Sequence, residues 1–500
     1  MDFIKNFPFF SIIICLVSGV LTSVLKKKAA RYLTYTALFV LFVLSSLVLF
    51  YTIQTGDYYV YRMGHYFAPW GNEIRIGVLE GIFAVFFCIV MLLSIVAGEK
   101  HIDEDVESTK INLYYTLICL MMSSLLALTY TNDLFTAYVF IEINTITAAC
   151  LVSVSGTGRS LYASTKYMIM SLLGSGLVLI GITLLYDVTG HLLLSNIHDS
   201  VETIMATGEY AAPMTIIIAL ITIGLSIKSA LFPFHSWLPD AHTASTISSS
   251  AILSGLVLKG YIIVLIKFFY RSIGWENVLK TGINDVIFVF GIMAMIVASL
   301  FAIVQKDIKR MVAYSSVAQI GYIFMGLGIG NEIGVIAAIF QIFAHGVTKS
   351  MIFISIRGFK DVSEHSTRFD GIKGAALRNK VSGVAFAAGA FSMVGIPFLP
   401  GFVSKLNFAA AAGDFGGTKM IIILVALAFS TILNCIYFFN ALITLYTPVV
   451  MSEEEKAKRS VKSGALYIVT VVCFILVNVF VGTFSAQILD LIESGLKMFS

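Results

Sequence analysis

Apolar runs about 20 residues long recur from one end of this chain to the other, and a run of that length is what an α-helix needs to cross a bilayer about 30 Å thick. Fourteen of them stand near 9–25, 32–53, 77–98, 111–130, 133–153, 166–187, 213–232, 246–268, 283–304, 312–330, 333–356, 382–411, 420–447 and 464–486. With 58% hydrophobic and 12% charged residues, the chain carries too little charge for a water-soluble domain, where about 25% is usual. The sequence therefore predicts an all-α polytopic membrane protein with 14 transmembrane helices.

Lys26, Lys27, Lys28 and Arg31 follow the first run at once, which suits a retained span rather than a cleaved leader. Alternate loops collect 21 Lys and Arg residues, among them those at 26–31, 306–310, 357–380 and 456–462, whereas the loops between them collect 8. By the positive-inside rule the basic loops are expected in the cytoplasm and both termini outside the cell membrane. The six cysteines all sit in apolar runs without a CxxC pair, so no cluster, haem or zinc site is expected. No cofactor ligands, nucleotide loop or nucleic-acid patch stands out.

Four basic residues lie inside apolar runs: Lys228, Lys259, Lys349 and Lys405. Among the acids, Glu142 stands in mid-run, while Glu80 falls close to a run's end. One such residue can snorkel or pair for packing, but five in one chain point to an ion path, because charge at membrane depth is costly. The stretch 222–260 breaks at Pro233 and then carries His235, Asp240 and His242 before the next apolar helix resumes. A second break holds Pro397, Pro400 and Gly401, with Lys405 just beyond. A helix interrupted at membrane depth survives only where protein or a watery cavity satisfies its freed backbone groups. Two such breaks, one in each half, are the sequence pointer to an internally repeated transporter.

Low-dielectric surroundings disfavour the charged forms of lysine and carboxylate alike, so both can exchange protons near neutral pH. Glu142 and Lys228 suit a coupled pair, and Lys259 could pass a proton onward along the midplane. His345 and Lys349 stand four residues apart, on one helical face, and imidazole changes charge near cellular pH.

The stretches SIKSALFPFHSWLPDAHTAST, LSGLVLKGY, QKDIKRMVAYSSVAQIGY, FAHGVTKSMIF and GIPFLPGFVSKL resemble the signature segments of the antiporter-like membrane subunits. That family is shared by respiratory complex I, multisubunit Mrp cation/proton antiporters and membrane-bound energy-converting hydrogenases. The resemblance covers most of spans 4 to 13. It implies two inverted five-helix repeats, spans 4–8 and 9–13, with interrupted seventh and twelfth helices. In this chain the divisions would fall at 1–110, 111–270, 271–447 and 448–500. It also implies that Glu142 is the fifth-helix glutamate, Lys228 the seventh-helix lysine, Lys259 the bridging lysine and Lys405 the terminal lysine, with His345 and Lys349 as relay positions.

The chain departs from the family in places. Ala244-Ser245-Thr246-Ile247 replaces a proline-containing stretch, which leaves the shape of that break open. One member class has glutamate at the Lys405 position and another a second histidine at the Lys349 position. The long lateral helix of the longest subunit type is also missing, so a shorter type is expected. The function implied is proton translocation in a multisubunit membrane complex driven by redox chemistry in partner subunits, homologous antiporter-like subunits among them. Alternatives are a non-redox Na⁺/H⁺ antiporter subunit and an independent carrier for an organic solute. The dense charged line disfavours the last.

Overall fold

The computed structural model describes residues 2–68, 70–208, 210–449 and 463–499. The first three long helices are α1 (Phe7–Val24), α2 (Lys27–Thr55) and α3 (Val78–Asp105), with an antiparallel hairpin of β1 (Tyr59–Arg62) and β2 (Glu73–Ile76) between α2 and α3. Then come α4 (Ile111–Tyr130), α5 (Leu134–Ser153), α6 (Gly158–Thr189), a short amphipathic α7 (Leu194–Thr207) and α8 (Ala211–Lys228). After a break, α9 (Trp237–Ala244) leads to α10 (Ile247–Ile273), a short α11 (Trp275–Thr281), α12 (Ile283–Ile303), α13 (Ile308–Ile329) and α14 (Glu332–Asp361). The chain ends with α15 (Ala375–Arg378), α16 (Lys380–Val394), α17 (Pro400–Phe415), α18 (Gly417–Tyr446), α19 (Ala465–Thr483) and α20 (Ser485–Lys497).

Among the described residues, 13 helices are long and apolar enough to cross a bilayer. The interrupted pair α16 and α17 supplies the remaining predicted span. Polar caps set where several helices start. The carboxylate of Asp133 accepts from the Thr136 N–H at 2.7 Å, Thr246 accepts from the Ser249 N–H at 3.2 Å, and Asp307 accepts from the Arg310 N–H at 3.0 Å. Each replaces a partner that the first turn of a helix lacks. The Thr246 cap restarts the helix where the family's proline is missing, so the break survives without it.

Burial is graded across the bundle. In α10, α13 and α14, 94–100% of the most apolar stretch is buried, whereas α1, α2, α6 and α19 bury 33–39% and turn their other faces outward. The core thus runs through α10, α13 and α14, the helices that carry Lys259, His345 and Lys349.

Ion pairs draw the basic loops onto one face. Arg31 reaches Glu99 at 2.5 Å and Asp103 at 2.6 Å, Lys360 reaches Asp105 at 3.4 Å, and Asp240 takes Lys166 at 2.7 Å and Arg310 at 3.2 Å. On the opposite face Arg75 donates to the Met498 carbonyl at 2.6 Å, and Lys419 meets Asp285 at 2.9 Å. The basic loop at 456–462 lies outside the described residues.

Four charges that the sequence placed in loops or near span ends are buried in the structure. Lys267, just before the π-helical end of α10, and Arg271, within it, counted among loop and span-end charges, are buried, and Glu80 at the start of α3 is buried too. Glu80 and Arg271 form an ion pair whose side chains are each only 2% exposed. The Lys267 ammonium donates to the carbonyls of Leu128 and Thr131, both at 3.0 Å, and of Thr129. It thereby caps the C-terminal end of α4, where orphan carbonyls and the helix dipole favour a cation. Lys309, also counted in a loop, is buried with its ammonium on the Ser245 carbonyl.

Candidate functional site

The first break is built to keep backbone groups satisfied inside the bundle. Helix α8 ends at Lys228, and the chain turns through Ala230 in the left-handed region, at φ 57°. The Trp237 indole, fully buried and stacked on Tyr167 with centroids 4.4 Å apart, donates back to the freed Ile227 carbonyl at 3.4 Å. Gly174 and Gly224 let α6 and α8 touch at the backbone: a Cβ on Gly174 would sit 2.8 Å from the Gly224 oxygen. That close approach sets the wall beside Lys228.

Lys228 is fully buried, and its ammonium lies 3.2 Å from Glu142 Oε1 and 2.9 Å from Thr145 Oγ1. Ser175 donates to the same carboxylate oxygen. The Glu142 side chain keeps 23% exposure, so the acid stands at an edge and the base inside. Tyr261 closes the far side, with its ring 5.6 Å from the ammonium and its hydroxyl 3.1 Å from Thr145 Oγ1. Tyr167 lies 3.4 Å further along.

Lys259 follows a π-helical turn at Leu253–Val257 and places its ammonium on the Ser254 carbonyl. Such turns leave carbonyls outside the regular ladder and frequently mark functional sites. Helices α10 and α14 meet through glycine here too, since a Cβ on Gly346 would lie 2.9 Å from the Gly255 oxygen. This brings His345, Lys349 and His242 within electrostatic range of one another and of Lys259. Both ring nitrogens of His345 and of His242 are buried without a hydrogen-bond partner among the described residues. His242 stacks on Phe353 at 4.8 Å. Lys349 donates to Ser315 Oγ at 2.6 Å and to the Val312 carbonyl at 3.3 Å. Ser254 and Ser316 join α10 to α13 at 2.9 Å, and Tyr437 donates to Ser315 at 3.0 Å.

The second break has a different construction. Helix α16 ends at Gly395, at φ 98°, and α17 starts on Pro400. Lys405, one turn into α17, folds back to donate to the Val394 carbonyl at 2.6 Å and the Met393 carbonyl at 3.3 Å. Gly401 is required sterically, because any Cβ there would overlap the Ser392 carbonyl.

Of the residues singled out in the sequence, Glu142 and Lys228 are in contact, and Lys259, His345, Lys349 and His242 form a buried cluster. Lys405 lies at the second break. Pro233 and Pro397 stand in the two breaks, Pro397 on the exposed side. His235 packs beside Phe232, Phe301 and Tyr314 with ring centroids 5.4–6.3 Å away. Asp240 is held by Lys166 and Arg310 on the basic face, apart from the row. Sequence reasoning missed Thr145, Ser175, Tyr261, Ser315 and Tyr437, the hydroxyl groups between the charges. Hydroxyl residues are common in membrane helices, and only spacing relative to a neighbouring helix distinguishes these.

Three of these lysines and both histidines are fully buried, yet Glu142 is the one carboxylate paired with any of them among the described residues. Uncompensated charge in a buried interior is expensive, and among the described residues Glu142 is the one acid that offsets any of it.

Residues 131–433 match the family model described as NADH:quinone oxidoreductase/Mrp antiporter, transmembrane. NADH-quinone oxidoreductase subunit N of Desulforudis audaxviator is 30% identical over 417 residues, covering 83% of this chain and 80% of that protein. Among solved structures, a chain of the membrane-bound sulfane sulfur reductase, an archaeal respiratory membrane complex, superposes with a TM-score of 0.87 at 23% identity, covering 100% of this chain and 98% of that one. A chain of the Mrp complex from Dietzia sp. DQ12-45-1b superposes with a TM-score of 0.85 at 21% identity, covering 99% and 97%. Both structural likenesses establish the fold.

Proposed function

Since the chain belongs to the antiporter-like family of NADH:quinone oxidoreductase and Mrp membrane subunits, we propose that it moves protons along Glu142, Lys228, Lys259, His345, Lys349 and Lys405 within a multisubunit membrane complex. The observation that carries this reading is the 3.2 Å contact between buried Lys228 and Glu142. While Glu142 is charged it holds Lys228 protonated. When that pairing weakens, the lysine is left as an unpaired cation in low dielectric and gives its proton inward. The two broken helices support the division into repeats at 111–270 and 271–447. The gathering of basic loops on one face supports an orientation with that face cytoplasmic and both termini outside.

We assign the driving reaction to partner subunits, in keeping with the respiratory relatives, while a Na⁺/H⁺ antiporter would use the same residues. The test is proton uptake by membrane vesicles holding the native complex, as wild type, Glu142→Ala and Lys228→Ala, with and without Na⁺ and with each electron donor in turn. Loss of proton movement in both assembled variants supports the ion path, and the donor or cation that drives the wild type identifies the host complex. Normal pumping in both variants would make the pair structural and overturn the reading.

A further inference from the structure

On the basic face, a cavity of about 320 Å³ opens between the start of α6, the α9–α10 link and the end of α14. Its volume falls at the low end of the range of about 300–1,000 Å³ typical of small-ligand sites. Arg159, Lys309, Lys360 and His365 line it, as do Thr157 and Thr246, which cap α6 and α10. Both of these long helices therefore direct their positive ends toward one space.

The charges around this space do not balance. Lys309 is 5% exposed, and its ammonium meets the Ser245 carbonyl but no carboxylate among the described residues. Arg159 likewise has no ion pair among them. Two acids are near. Asp105 is engaged by Lys360 at 3.4 Å, while Asp307 accepts from the Arg310 N–H and from Thr367 Oγ1 as the cap of α13. A buried ammonium without a counter-ion is costly, and two further cations converge on the same cavity. Planar guanidinium and ammonium donors beside the positive ends of two helices are the chemistry that binds phosphate.

We propose that the cavity lined by Arg159, Lys309 and Lys360 is a binding site for a phosphate group, carried by an anionic lipid or free in solution. The bound anion supplies the counter-charge that Lys309 lacks. It lies against residues 243–247, the link joining the His242 segment to the helix of Lys259. The site stands independently of the proton path, because it rests on Lys309 and Arg159, which have no carboxylate partner among the described residues, at the surface end of the bundle.

The test uses the purified native complex in two arms. In one, nanodiscs containing phosphatidylcholine with phosphatidylglycerol are used, and retained phosphatidylglycerol is counted by native mass spectrometry. In the other, phosphatidylcholine nanodiscs are titrated with inorganic phosphate and followed by ³¹P line broadening. Wild type is expected to bind in at least one arm, and Arg159→Gln and Lys309→Gln each to weaken that binding by about tenfold or more. Arg159→Gln alters an exposed side chain without a partner, so it keeps the test valid if Lys309→Gln fails to assemble. Binding in the first arm alone identifies a lipid headgroup, and binding in the second identifies free phosphate. Wild type binding neither probe, or Arg159→Gln binding as wild type does, overturns the proposal.

Discussion

The two interrupted helices place a lysine beside a break, but they answer its charge in different ways. In the first half Lys228 ends the helix before the break and faces a carboxylate at 3.2 Å, while an indole takes up the freed carbonyl. In the second half Lys405 follows the break and itself takes up the freed carbonyls of Val394 and Met393. No carboxylate pairs with it among the described residues. An ion pair holds a proton strongly and lets go when its partner is neutralised, whereas dipoles of helix-end carbonyls hold a cation more weakly and cannot be switched off. On the proposed proton path the first half would therefore act as the gate and the second as the passage. Lys349, held by a hydroxyl and one carbonyl, has the second kind of site.

Removing one charge at a time separates the two kinds of site. The largest stability loss is expected at neither break but at the fully enclosed Glu80–Arg271 pair. Glu80→Ala leaves a buried guanidinium unpaired and should cost about 3–5 kcal/mol, read as a lowered midpoint in thermal unfolding of the assembled complex. Glu142→Ala should leave Lys228 unpaired at the edge of the same range. With about 3 kcal/mol lost, proton movement should fall about 100-fold, measured as uptake in vesicles, and Glu142→Asp should fall less. If the double variant Glu142→Ala, Lys228→Ala were no more stable than Glu142→Ala alone, the pair would not be coupled. Lys405→Met removes two charge-assisted carbonyl bonds and should cost about 1–3 kcal/mol, with little change for Lys405→Arg. Equal transport defects for Lys405→Met and Glu142→Ala would erase the distinction between gate and passage.

The smallest effect is expected at the exposed Glu107–Lys110 pair, 2.7 Å apart. Its hydrogen bond from Lys110 holds the Glu107 carboxyl below the usual carboxylate range, with help from Thr109. A carboxyl lowered in the folded state contributes stability above its ordinary pKa and loses it as pH falls through the folded value. Thermal midpoints of Glu107→Gln and wild type should therefore converge in acid and differ little at neutral pH, because exposed pairs contribute little.

The membrane spans, both breaks and the mid-span lysines were legible in the chain because each is a local pattern: apolar length, proline in an apolar run, charge far from a run's end. The contact of Glu142 with Lys228 required the family resemblance, since nothing local says which spans touch. Lys267, Arg271 and Glu80 escaped because a charge near the end of an apolar run reads like an ordinary snorkelling residue. Their burial follows from the π-helical end of α10 and from the C-terminus of α4 lying against it, both tertiary facts. The hydroxyls of Thr145, Ser315 and Tyr437 were hidden for the same reason. Substituting Ser for the family's proline after His242 left the break intact, because Thr246 supplies a cap that restarts the helix.

The proposed ion path requires that the buried row conducts. Lys259 is fully buried in α10 within electrostatic range of His242, His345 and Lys349 and pairs with no carboxylate among the described residues, so Lys259→Met removes the ammonium while keeping an unbranched side chain in the same space. Proton uptake by vesicles holding the assembled Lys259→Met complex is the most direct measurement. Uptake should be lost although assembly is intact. Uptake at the wild-type rate would rule out the proposed path, and the protons would have to cross elsewhere.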